Sequence, residues 1–368
     1  MNSSISSSSA RRGVLLFFAT VVLAMVALDV ALDTYVRRNT TASRFIDESR
    51  SKAAHMRLHL HGAVPDMVVV GSSNTMYHIS TQAFAEAGLT VYNLGVAGQD
   101  LVNYPSLVAD AAATGTRVVA LGLTAGVFFL DQLSYARISD LRDLRALWAV
   151  DAPWNIRWLG VKDSVRRMHS LLVYSNPMYI RLRQLCARFD APGPAGAAAA
   201  PVPDGGAAAP DAPGAPGGAP VIPARVDCDI FDVNRVSPYK TVTKCTNGDG
   251  IIFGSLPPQA VPPGSVKAGA LNRDYVRLLA YCIDIIRRAG SQPLVVLYPG
   301  GGRVDEAGLA AIRAAVAAPV IDDSGYDPSP DMWADSAHLN YHGRLRYSRR
   351  LAAEILAVPD LIVKDIGK

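Results

Sequence analysis

Four short apolar runs stand out along the chain: MVVVG at 67–71, TVYNLGV at 90–96, RVVALGL at 117–123 and PLVVLYP at 293–299. Runs of this length, rich in β-branched residues and without polar alternation, fit strands buried on both faces of a parallel sheet. Between the first three lie segments with small and apolar residues at helical spacing, Thr81 to Ala87 and Leu101 to Ala113. The alternation predicts a doubly wound α/β sheet with helices on both faces.

After the third run the pattern breaks. From Ala125 to Lys267 the chain carries short amphipathic pieces, SDLRDLRALWAV at 139–150 and SVRRMHSLLVY at 164–174. Residues 191–220 then form a run of Ala, Pro and Gly with no side chains worth burying, a composition that predicts a disordered linker. The α/β pattern resumes with a helix at 271–290, whose apolar face includes Tyr275, Leu278, Leu279, Cys282 and Ile285 and whose end is marked by Gly290. A helix at 306–318, a short strand at 319–324 and a last helix from Tyr341 to Leu356 follow. The reading is one interrupted domain, 66–124 and 268–368, with an insertion at 125–267 over or beside the carboxyl ends of the strands. Ligands bind at those ends in such sheets.

The amino-terminal part has a different character. Residues from Gly13 to Leu28 carry no charge and follow Arg11 and Arg12. A span needs about 20 mostly apolar residues, so 13–36 is expected to be a single membrane anchor, with 1–12 as a cytoplasmic tail and 37–65 as a stem. No clean small-residue cleavage site follows the run, which favours an uncleaved anchor. The remainder then faces the periplasm or exterior. Half of the 368 residues are hydrophobic, enough for a sizeable core, and a net charge of +4 from scattered Lys and Arg gives nucleic-acid binding no support.

Of the four cysteines, Cys228 and Cys245 could close a disulfide outside the cytoplasm, while Cys186 and Cys282 lie on helix-like segments as buried thiols. No Cys/His spacing suggests a metal, and no cofactor is expected. His55, His59 and His61 alternate near the stem; two on one strand face could bind a metal, but without an adjacent Cys or acidic partner a solvated or membrane-proximal segment is the better reading.

Gly71-Ser72-Ser73 falls where the first strand ends, and the glycine permits a tight turn there. A lone serine at a strand end reads as a cap for the next turn. Serine is a weak nucleophile that needs a base, and the base needs an orienting group. Asp335-Ser-Ala-His338 supplies both, a carboxylate and an imidazole three residues apart before a helix. His78 could line the site or lie on the surface. His342, lacking a carboxylate at the matching upstream spacing, is second choice as base, and Arg303 in the Gly300-Gly-Gly-Arg loop could meet an anionic group but is left outside the catalytic set.

With these motifs in order, the chain resembles the SGNH (GDSL-like) hydrolases over about 67–124 and 271–356. Gly71-Ser72-Ser73 is similar to the family's Gly-Asp-Ser, with the nucleophile at Ser73 and Ser72 where aspartate usually stands. Asn93-Leu-Gly-Val-Ala-Gly-Gln-Asp100 resembles the second motif and places an oxyanion-hole amide at Gly98 beside that of Ser73. Asp335-Ser-Ala-His338 matches the terminal Asp-x-x-His. The usual Gly-x-Asn-Asp is absent; Thr124 stands at about the place of its asparagine, with Asn74 or a backbone amide as a substitute donor. The resemblance implies a flavodoxin-like parallel sheet.

It also looks most like the membrane-attached branch of the family that modifies cell-envelope polymers, including proteins of alginate O-acetylation and teichoic-acid D-alanylation. The implied activity is a serine esterase or O-acyltransferase acting on acyl, above all acetyl, esters of an envelope or exported polysaccharide. A membrane-bound acyl-donor protein is then a further candidate partner. The rival is a non-catalytic envelope protein that keeps the fold to bind a glycan or to scaffold a biosynthetic complex; a third reading, a nucleotide-binding domain, lacks the further glycines and lysine of a P-loop.

Overall fold

The computed structural model describes residues 13–27 in part, 48–167 but for 131, 132, 134–137 and 139, 226–254 but for 227, 238 and 239, and 266–362 but for 268, 269 and 301. The chain divides into two compact units, residues 1–44 with 162–210 and residues 45–161 with 211–368. In the first, residues 13–21 are helical and expose Leu15, Leu16, Phe17 and Phe18. Among the described residues no helix is long and apolar enough to cross a membrane. Much of the anchor expected at 13–36, the low-complexity run 191–220 and Cys186 fall outside the described residues.

The second unit is an α/β fold. Helix α1 (Glu48–Leu60) leads into β1 (Met67–Gly71), the short helices α2 (Ser73–His78) and α3 (Thr81–Glu86), then β2 (Val91–Gly95), α4 (Tyr104–Ala112) and β3 (Val118–Thr124). The insertion contributes α5 (Leu141–Ala149), α6 (Trp154–Arg167), β4 (Ile230–Ser237), β5 (Lys240–Cys245), β6 (Gly250–Phe253) and β7 (Val266–Lys267). After it come α7 (Arg273–Arg288), β8 (Gln292–Tyr298), β9 (Arg303–Val304), α8 (Glu306–Val316), β10 (Val320–Asp322) and α9 (Tyr341–Ala357).

The central sheet has five strands in the order β10-β8-β3-β1-β2, and every neighbouring pair is parallel. The chain runs from β1 outward to β2, then returns past β1 to β3. The order therefore reverses between β1 and β3, and in open α/β sheets the crevice at that switch point, beyond the carboxyl ends, is where ligands bind.

Alternate strand residues bury opposite faces, as the two-residue period requires. Val68, Val70, Leu94, Val119, Leu121 and Val295 pack with Met56 of α1, Leu107 of α4, Leu147 of α5 and Leu279 of α7. Met67, Val69, Ala120 and Val296 pack with Phe84 of α3 and Tyr347 and Leu351 of α9. Helix starts follow the side chains that cap them: Asn272 accepts from the Asp274 amide at α7, and Asn340 accepts from the His342 and Gly343 amides at α9.

The stem and the insertion hold structure that the sequence did not show. The stem is helical from Glu48 and belongs to the fold: Ala53 and Met56, three apart on one helical face, are wholly buried, and the Lys52 ammonium donates to the Gly95 carbonyl. The strand-like alternation of His55, His59 and His61 misleads because the apolar positions, not the histidines, set the period. The amphipathic piece at 164–174 overlaps the end of α6, and its residues 168–174 lie outside the described residues. The insertion also folds an antiparallel three-stranded sheet, β4-β5-β6, which the sequence reading missed. Its inward positions on β5 include Thr241 and Thr243, so the strand lacks an apolar alternation to read. The Cys228–Cys245 disulfide ties this sheet to the segment before it, and Cys282 is a buried free thiol.

Candidate active site

The site begins with a row of glycines. Gly71, Gly95 and Gly122 stand side by side at the carboxyl ends of β1, β2 and β3. A Cβ at Gly71 or Gly122 would fall on the Thr75 hydroxyl, and one at Gly95 on the Met76 amide. The row is thus a floor without side chains, and α2 lies directly on it. Asn93 of β2 holds the helix from below: its side-chain amide donates to the Thr75 carbonyl (3.1 Å) and its oxygen accepts from the Gly95 amide (2.9 Å).

Ser73 is the first residue of α2, half-buried at the switch point, and Ser72 is the residue that caps it. Ser72 makes no side-chain cap; its hydroxyl is a hydrogen-bond partner of the buried Tyr104 phenol. The two serines are therefore not equivalent. Ser73 Oγ lies 2.9 Å from His338 Nε2, and His338 Nδ1 lies 2.8 and 3.0 Å from the two carboxylate oxygens of Asp335. A carboxylate on Nδ1 fixes the proton there, which leaves Nε2 as the acceptor for the Ser73 hydroxyl.

Asp335 is crowded with donors. Oδ1 accepts from the Ala337 amide (3.0 Å), the His338 amide (2.9 Å) and Nδ1, while Oδ2 meets the Lys240 ammonium of β5. Burial pushes this carboxyl upward, but the His338 hydrogen bond and charge, with Lys240 and the Ala337 amide, outweigh it and hold Asp335 well below the ordinary carboxylate range. The loop carrying Asp335 and His338 is closed by a bridge between Trp333 and Leu339, with the Ala334 amide donating to the His338 carbonyl at 2.8 Å.

Two side chains of α2, one helical turn apart, clasp a single carbonyl of that loop. Asn74 Nδ2 donates to Ala337 O at 2.9 Å, and His78 Nε2 donates to the same oxygen at 3.1 Å. The helix that carries the serine is thereby latched to the residue preceding the histidine. This is the role the structure gives Asn74, which the sequence suggested as an oxyanion donor. His78 is not on the surface: it is wholly buried among Tyr298, Trp333 and Tyr347, and its Nδ1 has no partner among the described residues. Burial, with the nearby His338, lowers its pKa to about 3, so it is a neutral ring.

The suggested oxyanion positions lie on the loops that leave the same strand ends. Gly98 follows β2 with φ +76°, a backbone state that favours glycine, and the Val96 amide of its loop donates to the Gly71 carbonyl at 2.9 Å. Thr124 ends β3 opposite Tyr298. The Ser73 amide, at the first turn of α2, has no intrahelical acceptor.

The insertion reaches this site through a buried carboxylate. Asp249, between β5 and β6, accepts from Arg344 Nη1 of α9 (3.0 Å), the Thr81 backbone amide of α3 (3.0 Å) and the Asn93 side-chain Nδ2 of β2 (3.2 Å). Asp249 and Arg344 are both fully buried. Of the other residues weighed from sequence, His342 is exposed and donates its backbone amide to Asn340, and Arg303 is exposed on β9. His55 and His59 share a face of α1, with ring centroids 6.1 Å apart, and no metal-binding cluster is found among the described residues. Of what sequence reasoning missed, the glycine row and the joint hold of Asn74 and His78 on one carbonyl had signals, equal strand positions and an i, i+4 spacing; Lys240, Asp249 and Arg344 had none.

The chain matches no protein-family model, no curated protein and no solved structure.

Proposed function

We propose that the protein is a serine esterase or O-acyltransferase that acts on acyl esters, acetyl esters foremost, of an envelope or exported polysaccharide. The observation that carries this reading is the hydrogen-bonded chain Ser73–His338–Asp335 at 2.9 and 2.8 Å, at the switch point of a parallel sheet. Three groups drawn from two ends of the sequence meet there with the spacing that general-base activation of a hydroxyl requires. The resemblance of Gly71-Ser-Ser, Asn93–Asp100 and Asp335-x-x-His338 to the SGNH motifs supports the same chemistry.

In this mechanism Ser73 Oγ attacks the ester carbonyl while His338 Nε2 takes the hydroxyl proton. The tetrahedral oxyanion is held by the Ser73 and Gly98 amides, with the Thr124 hydroxyl as a third donor. His338 then returns the proton to the departing alcohol, leaving an acyl-serine. Water or a sugar hydroxyl gives its proton to His338, attacks the acyl carbonyl and frees Ser73. Asp335 keeps the imidazole oriented and balances its charge in both halves. No metal or cofactor is invoked.

The apolar stretch from Gly13 to Leu28, helical over 13–21 with exposed Leu and Phe side chains, supports attachment to the bacterial inner membrane with the α/β unit outside the cytoplasm. A disulfide in the insertion supports the same compartment. An acyl-donor protein of the membrane is the partner that the transferase form would need. The non-catalytic reading rests on Thr124 standing in place of an amide donor. A fluorophosphonate, which phosphonylates activated serines, decides between them: the full chain is labelled and Ser73→Ala is not. Absence of labelling, or labelling undiminished in Ser73→Ala, rejects catalysis at Ser73.

A further inference from the structure

Lys240 opens β5 of the insertion, 95 positions before the Asp335 carboxylate that its ammonium meets. The pair is not a surface ion pair: the Lys240 and Asp335 side chains are 26 % and 22 % exposed, and His338 is 19 % exposed. Partial burial of all three raises the value of each charge–charge term over that of an exposed pair.

The insertion is held where Lys240 can act. Gly250 of β6 sits against α2 so closely that a Cβ there would strike the Tyr77 ring and Met76 side chain, and the Tyr77 ring meets His338 edge-on at 5.3 Å. Asp249, next to that glycine, is bound by Arg344, Thr81 and Asn93. The β5–β6 hairpin is therefore anchored on the elements that carry Ser73 and His338.

We propose that Lys240 is a positioning residue of the triad, a fourth member supplied by the insertion, which pins Asp335 Oδ2 and balances its charge. Oδ1 already has three donors, so Lys240 on Oδ2 leaves the carboxylate no freedom to turn away from Nδ1. Its positive charge also offsets that of Asp335 at the imidazole. The groups facing the His338 ring are Asp335 on its own loop, Ser73, Tyr77 and the neutral His78 on α2, and, through Asp335, Lys240 on β5. With Lys240 removed, the carboxylate is free to turn and its charge is uncompensated, which favours the protonated imidazole, the form that cannot accept the serine proton. The insertion is on this reading part of the catalytic unit.

The proposal rests on the serine-hydrolase reading, and two readouts on the full chain in detergent keep the two apart. The first is the rate of fluorophosphonate labelling against pH; the second is the ring-proton NMR titration of His338, assigned with His338→Gln, which needs no activity. In Lys240→Gln, labelling at neutral pH is expected to fall about 10- to 100-fold, the size of one lost hydrogen bond to a charged group. The acid limb of the profile and the midpoint of the ring titration should both move to higher pH. Lys240→Arg should restore both, and Val233→Ala, an exposed position on the neighbouring strand β4, should leave both as in the unaltered chain.

An unmoved midpoint in Lys240→Gln with unchanged thermal unfolding overturns the proposal, as does Lys240→Arg behaving like Lys240→Gln. A midpoint that moves in a chain that is never labelled rejects catalysis and leaves the Lys240–Asp335–His338 coupling standing. Should Lys240→Gln unfold, replacing Asp335 by Asn provides the second route. In that background Lys240→Gln should no longer change the His338 titration, and a continued effect overturns the proposal.

Discussion

The two histidines nearest Ser73 sit in opposite surroundings, and their chemistry divides accordingly. His338 is bound to a carboxylate on one side and the serine on the other, whereas His78 is sealed among aromatic rings with one nitrogen on a carbonyl. His78 has a folded pKa near 3 against an ordinary value of 6.5, so the unfolded chain binds the extra proton between those values. Stability from this group is thus complete above about pH 6.5 and falls on acidification by about 1.4 kcal/mol per pH unit. Asp335, held below its ordinary 3.8, loses its contribution in the same direction, below that value. Urea unfolding between pH 7 and 4 should show a falling midpoint, and His78→Phe should flatten the fall above pH 5; an equal slope in the variant rejects the assignment. Asp335→Asn should lower the labelling rate by about 10⁴, together with a loss of stability at neutral pH as the contacts to His338 and Lys240 lose their charge. Ser73, Asp335 and His338 were legible because each is a reactive type at a telling spacing. His78 was not, since one histidine reads alike on a surface and in a core until its neighbours are known.

The short helix α2 owes its position to what the strands beneath it lack. Three glycines in register let it lie on the sheet, and a side chain at any of them would lift Ser73 away from His338. Gly122→Ala places a methyl against the Thr75 hydroxyl and the Tyr298 ring. Such overpacking costs about 1–3 kcal/mol. The expected result is a melting temperature lower by several degrees and labelling reduced more than the stability loss alone explains. Unchanged labelling in Gly122→Ala would mean that α2 does not depend on the floor. The strands themselves were evident from their apolar runs, because burial on both faces leaves a continuous signal. The sheet β4-β5-β6 was not, because two inward positions of β5 are Thr241 and Thr243, whose hydroxyls read as solvent-facing, and the apolar run of β6 is only four residues long.

At the scale of the whole unit, one buried ion pair joins the insertion to the α/β fold. Arg344→Met leaves the Asp249 carboxylate charged and without its cation in a fully buried place. Breaking a buried pair in this way costs about 3–5 kcal/mol, so urea unfolding should detect a loss of that size, together with weaker labelling as the β5–β6 hairpin loosens. A loss under about 1 kcal/mol would show that the pair does not fasten the insertion. The strand runs, the parallel α/β class, the break in the pattern after β3 and the three groups of the Ser73–His338–Asp335 hydrogen-bonded chain are legible in the sequence alone. Those features are written in local periodicity and in residue types that few other roles require. It took the folded chain to bring α1 onto the sheet, Asn74 and His78 onto one carbonyl, Lys240 onto Asp335 and Asp249 onto Arg344. Lysine, asparagine and aspartate are ordinary surface residues, and what singles these out is desolvation and a partner from a distant segment, which exist once the chain has closed on itself.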